Sequence, residues 1–222
     1  MNNINWKKAD FLLKLPILEL LSLADKDRKQ ALGRRFELCS IINAKSGLCK
    51  EDCKFCAQSA RYKTGIAVYP LKAKGEIVYA AKKAKEAGAK RFGIVTSGNR
   101  LSDKEIKRIA DVIYKIRKEA GILTCASLGK LDKDALIMLK KSGLCRYHHN
   151  IETSRRFYPK IVSTHTFCER LNTIRSAREA GLEVCSGGII GLGESWKDRV
   201  AMAQTLKELD VESVPLNFLI PV

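Results

Sequence analysis

Residues 91–128 read RFGIVTSGNRLSDKEIKRIADVIYKIRKEAGILTCASL. The two ends, Arg91–Ser97 and Ile122–Leu128, are short β-type runs. Between them Asp103–Glu119 repeats apolar residues at helical spacing. Gly121 stands where a helix closes at C′, just before the second strand. The stretch is therefore a strand–helix–strand unit, and the same cycle recurs along the chain. Further strands are predicted at Glu37–Asn43, Leu144–Asn150, Leu182–Gly188 and Val211–Leu219. Helices are predicted near Gly75–Ala87, Asp132–Lys141, Thr166–Ala180 and Ser195–Leu209, with Gly88, Gly143 and Gly181 as further closing glycines. A leading helical segment spans Phe11–Leu32, with Pro16 near its start. The division follows: residues 1–36 as an N-terminal helical segment and 37–222 as one α/β domain.

Regular alternation implies parallel strands with helical crossovers. Polar residues gather where strands end: TSGN after the second, Cys125 and Ser127 in the third, His148 and Asn150 at the end of the fourth, Cys185 and Ser186 in the fifth, and Asn217 in the sixth. Sites drawn from the C-terminal ends of many strands are characteristic of a TIM-type (β/α) barrel. About six of its eight units are present, so the reading is an incomplete, C-terminally truncated barrel. The final run LNFLIPV would leave a strand edge uncovered.

The chemistry centres on CKEDCKFC, which sets Cys49, Cys53 and Cys56 at C-x3-C-x2-C with no fourth cysteine or histidine close behind. Structural zinc closes its tetrahedron with four protein ligands, commonly in two pairs. Three thiolates suit a [4Fe–4S] cubane, with one iron left for an outside molecule. A zinc knuckle or scattered thiols is the bland alternative. Free cysteine is often a small buried hydrophobe, which is the bland reading of Cys125 and Cys185 as well. Cys145 and Cys168 carry no motif.

The chain has 222 residues, a formal charge of +17, 45% apolar and 29% charged residues, and eight cysteines. Its basic residues are spread along helical segments among Glu and Asp, which reads as a solvated surface rather than a nucleic-acid footprint. No apolar run reaches the ~18 residues of a membrane span, and the N-terminus does not read as a signal peptide. A cytoplasmic protein, with thiols rather than disulfides, is expected.

Four stretches carry a resemblance. CSIINAKSGLCKEDCKFCAQSARYKTG (Cys39–Gly65), RYHHNIETS (Arg146–Ser154), VCSGGIIGLGES (Val184–Ser195) and ESVPLNFL (Glu212–Leu219) closely resemble the biotin synthase family of radical S-adenosylmethionine (SAM) enzymes. The resemblance implies a TIM-type barrel, sulfur insertion into dethiobiotin, an electron donor such as flavodoxin or ferredoxin, and a homodimer. Cofactors hold the hard chemistry of such enzymes. A [4Fe–4S] cluster on Cys49, Cys53 and Cys56 would hold SAM at its open iron and cleave it to a hydrogen-abstracting deoxyadenosyl radical.

By position, the resemblance puts Phe55 near the adenine. Asn150 and Glu152 fall at the ribose hydroxyls, and Asn150 also at the substrate ring. Arg170 falls at the methionine carboxylate, Asn217 between substrate and nucleoside, and Gly187 and Gly188 where backbone approaches ligand. A second, auxiliary cluster, [2Fe–2S] or a variant, supplies sulfur. Its ligands in the family are one cysteine each from the second, third and fifth strands and an arginine from the C-terminal part that this chain lacks. Cys125 and Cys185 match the third- and fifth-strand positions, but the second-strand position is Gly93, which cannot ligate. Cys39, placed late in the first strand, is the available replacement. Two other readings stay open: a radical enzyme of the same barrel group with another substrate, and a non-catalytic cysteine-metal module that binds RNA.

Overall fold

Alternation along Arg91–Thr96 sets the layering. Phe92, Ile94 and Thr96 are buried beneath helices, whereas Arg91, Gly93 and Val95 face the opposite way and are half-buried. The structure is a computed structural model describing residues 6–220. It has seven strands, β1 (Cys39–Lys45), β2 (Arg91–Thr96), β3 (Leu123–Ser127), β4 (Leu144–His148), β5 (Glu183–Cys185), β6 (Gly188–Ile190) and β7 (Leu216–Phe218). Its helices are α1 (Trp6–Leu13), α2 (Ile17–Leu32), α3 (Lys74–Glu86), α4 (Asp103–Glu119), α5 (Lys133–Lys141), α6 (Phe167–Glu179) and α7 (Trp196–Glu208).

Strands β1 to β5 pair in parallel and in chain order. A doubly wound sheet reverses its order at a switch point; this one never does, so it is the wall of a barrel. The fifth predicted strand is broken at Ser186–Gly187 into β5 and β6. Parallel bridges Glu152↔Gly188 and Cys185↔Ser213 carry the wall onward, and β6 pairs with β7. No pairing between β1 and β7 is present among the described residues.

Helix α4 shows what holds the wall. Ser102 caps it, accepting from the Glu105 backbone N–H, while the Glu105 carboxylate accepts from the Ser102 N–H. Ile106, Ile109, Ile113 and Ile116 on one stripe are at most 2% exposed. Each such burial stabilises by roughly 1.5–3 kcal/mol. The predicted closing glycines sit at C′ after α3, α4, α5 and α6, all with positive φ.

The leading helix differs from expectation. It is two helices, because Pro16 has no N–H to donate and disfavours a helical Leu15. Neither α1 nor α2 buries a residue. The strand start differs too: Cys39 opens β1 instead of lying late in it, and it is exposed. Among the described residues no helix is long and apolar enough to cross a membrane.

Candidate active site

The cysteine loop follows β1 and folds over the C-terminal end of the wall. Cys49 is anchored on both sides, its N–H donating to Gln58 and its carbonyl accepting from the Ala60 N–H, and a turn joins Cys53 to Cys56. Cys49 and Cys53 are buried and Cys56 half-buried. All three line one cavity of about 230 Å3 together with Phe55, His148, Asn150, Glu152 and Arg170. Strand ends, the cysteine loop and the α6 helix thus meet at the barrel mouth.

Two carboxylates inside the cysteine motif pin the loop. Asp52 accepts from the Ser163 N–H (2.9 Å) and from the Thr164 N–H and hydroxyl (3.2 and 3.0 Å). Glu51 lies 2.7 Å from His165 Nδ1. A carboxylate only accepts, so Nδ1 carries the proton. That leaves Nε2 to accept from the Arg170 guanidinium at 3.2 Å. Burial, reinforced by Arg170, lowers the His165 pKa against the pull of Glu51, which agrees with a neutral ring.

Arg170 lies in the first turn of α6 and is held on three further sides. It donates to the Tyr158 hydroxyl (2.6 Å) and the Asn150 carbonyl (2.9 Å), and pairs with Glu152 at 3.6 Å. Glu152 is buried at a positive φ of 67°, a backbone state that costs a non-glycine residue and collects at functional sites. Burial raises its pKa, opposed by Arg170 and by the Asn150 amide. The Asn150 Oδ1 accepts from the Gly187 N–H at 2.9 Å, which fixes the amide orientation.

Deeper in the lumen is a second set. Register places Gly93, Cys125 and Arg146 side by side on β2, β3 and β4, with His148 opposite Cys185. Cys39, Cys125 and Cys185 lie close enough to influence one another electrostatically, as do Arg91 and Arg146. Burial pushes the Cys125 thiol up to about 11 against the two arginines, and burial raises Cys185 as well, against a hydrogen bond with Ser213. Glu183 holds both guanidiniums, 3.2 Å from Arg91 and 2.8 Å from Arg146. The Arg91 Nε and Nη1 are buried without a hydrogen-bond partner. All eight cysteines are free.

Residues 45–206 match the radical SAM superfamily. The chain is 51% identical to a biotin synthase of Acetivibrio thermocellus over 204 residues, covering 92% of this chain and 64% of that protein. It is 50% identical to a biotin synthase of Thermotoga petrophila, covering 94% and 71%. The chain belongs to the biotin synthase family. It thus spans about two thirds of the length of these curated relatives. A crystal structure of methylornithine synthase superposes with a TM-score of 0.86 at 24% identity, covering 99% of this chain and 66% of that one. A maturase of the [FeFe]-hydrogenase gives 0.81 at 21%, covering 96% and 50%. These two likenesses show the shared barrel fold.

The donor set fits the cluster that biotin synthases carry. Burial pushes the Cys53 thiol up to about 12 and raises Cys56, so water alone would leave them as neutral thiols. Soft iron takes them as thiolates and displaces the protons. Among the described residues no three His, Cys, Asp or Glu side chains gather round one point, as ligands of a single ion would. A cubane instead takes one thiolate per iron, spreading its ligands.

The sequence expectations fare unevenly against this geometry. Phe55, Asn150, Glu152 and Arg170 join the three cysteines at the cavity. Asn217 does not line it: on β7 it alternates with the outward Leu216 and Phe218, so it points to the open lumen and is exposed. Gly187 and Gly188 meet protein backbone instead of the cavity, since a Cβ there would strike the carbonyls of Pro215 and Glu152. Glu51, Asp52, Tyr158, Ser163 and Thr164 escaped the sequence reading, whereas His165, a candidate ligand or hydrogen-bonded scaffold residue in the sequence, is held by hydrogen bonds to Glu51 and Arg170. Asp52 is 111 residues from Ser163, and no spacing rule reports such a contact.

Proposed function

We propose that this chain carries the core of a biotin synthase, inserting sulfur into dethiobiotin with SAM and electrons from a flavodoxin or ferredoxin. Cys49, Cys53 and Cys56 hold the [4Fe–4S] cluster, and Phe55, Asn150, Glu152, Arg170 and, from the open lumen, Asn217 hold the nucleoside and substrate. When bound, the cluster and SAM supply reductive cleavage of the sulfonium and a hydrogen-abstracting radical. The residues of the chain do the rest. Arg170 offers a guanidinium to a carboxylate, Glu152 accepts from a diol, and the Asn150 amide, oriented by Gly187, donates through its NH2 to the Glu152 carboxylate and steadies it at the cavity. Burial excludes water from the reacting centre. The sulfur source is an auxiliary iron–sulfur cluster on Cys39, Cys125 and Cys185, its negative charge met by Arg91 and Arg146. The working protein is a cytoplasmic homodimer.

One observation carries the reading: three thiols without a fourth line the same cavity as Asn150, Glu152 and Arg170. Anaerobic reconstitution with iron and sulfide, then SAM, dithionite and dethiobiotin, should yield deoxyadenosine and biotin by mass spectrometry. Each of Cys49→Ala, Cys53→Ala and Cys56→Ala should abolish both products. Deoxyadenosine without biotin would instead support a radical enzyme with another substrate, the reading that Gly93 on β2 keeps open. Unchanged auxiliary iron and sulfide in Cys39→Ser would remove Cys39 from the ligand set.

A further inference from the structure

Gly93 leaves the second strand with no donor beside Cys125, so Cys39, Cys125 and Cys185 make a set of three. His148 stands next to that set. It ends β4, pairs in register with Cys185, and brings Nδ1 to 3.3 Å from the Cys185 Sγ. Imidazole and thiolate bound to one tetrahedral metal at about 2.0–2.1 and 2.3 Å stand about 3.5 Å apart. The observed contact therefore has the span of a shared coordination edge. Imidazole can replace thiolate on an iron of a cluster, as Rieske centres show.

The chain has three histidines, and the other two are committed elsewhere. His149 also lines the cavity of the three-cysteine loop, but its ring stacks on Tyr147. His165 is held between Glu51 and Arg170. His148 alone has its ring nitrogen directed at a lumen cysteine, and the same ring lines the cavity of the three-cysteine loop. Building on the proposed auxiliary cluster, we propose that His148 Nδ1 is a fourth protein ligand of that cluster, on the iron that also binds Cys185 Sγ. One residue then separates the two metal centres and faces both.

The test uses the full chain grown with 14N- or 15N-histidine and reconstituted anaerobically with ferrous iron and sulfide. Pulsed EPR of the reduced auxiliary centre should show a strong, isotope-sensitive nitrogen coupling of the kind that direct ligation produces. His148→Ala should lose that coupling and most of the auxiliary iron, while His148→Cys should keep the iron and lose the nitrogen signal. A second cluster whose spectrum ignores the isotope, or shows only the weak coupling of a hydrogen-bonded imidazole, overturns the ligand assignment alone. Wild-type iron matching one cluster, unchanged by Cys125→Ser or Cys185→Ser, removes the auxiliary-cluster reading and this assignment with it. The isotope measurement on the unsubstituted chain decides the point even if His148→Ala fails to fold.

Discussion

Asp52 and Ser163, 111 residues apart, are joined by a 2.9 Å hydrogen bond from the Ser163 N–H to the Asp52 carboxylate. That contact, with Thr164 beside it, fastens the cysteine loop to the segment leading into α6. The loop therefore inherits rigidity from the barrel. Asp52→Ala should cost only about 1 kcal/mol in thermal or denaturant unfolding, because the carboxylate is partly open to water. Its larger effect is local. Hydrogen exchange across residues 49–56 should quicken and iron uptake should fall, and exchange indistinguishable from wild type would show that the clamp is idle.

Arg170 holds Tyr158, Asn150, His165 and Glu152 at once. Arg170→Ala strands a buried Glu152 carboxylate, and breaking a buried pair costs roughly 3 kcal/mol. Arg170→Lys keeps the charge but not the planar fork, so it should restore much of the stability and little of the SAM affinity. Isothermal titration with SAM on the reconstituted protein, alongside chemical unfolding, separates the two effects.

Acid should loosen the α7 cap. Burial would raise the Asp198 pKa, but hydrogen bonds from Ser154 and Ser195 and the Arg156 charge outweigh it and hold the carboxyl at about 2. A depressed folded pKa stabilises above the unfolded value near 3.9 and is lost as pH falls toward 2. The contribution is about 2 kcal/mol at neutral pH. Asp198→Asn should lower stability at pH 7 and flatten the fall between pH 4 and 2, as followed by circular dichroism.

Gly187 is where the fifth barrel strand breaks. A Cβ there would collide with the Pro215 carbonyl just before β7. Gly187→Ala must push β7 outward or displace the Gly187 N–H from Asn150, so a loss of 2 kcal/mol or more is expected. The control is Gly75→Ala at the start of α3, where a Cβ meets nothing within 4 Å, and there stability should hold or rise. Equal losses at both positions would contradict the close-approach account.

The alternation of strands and helices, the closing glycines and the three-thiol motif were all legible in one dimension, because each depends on neighbours within a few residues. Asp103–Glu119 is a helix between the predicted residues because its Ile stripe and its end signals are local. Pro16 splitting the leading helix was legible in principle, since the rule is local too, yet the apolar spacing on either side outweighed it.

The tertiary structure decided everything that depends on register and on distant partners. The placement of Cys39 at the start of β1, the turn of Asn217 toward an open lumen, and the approach of Gly187 to Pro215 all follow from how strands slide past one another. Sequence alone determined that this chain alternates into a barrel wall and gathers three thiolate donors for a cluster. Only the fold decided which carboxylates pin that loop, which arginine reaches it and which histidine touches the second cysteine set. Local propensities are set by adjacent residues, whereas contacts between side chains more than a hundred residues apart exist only once the chain has closed on itself.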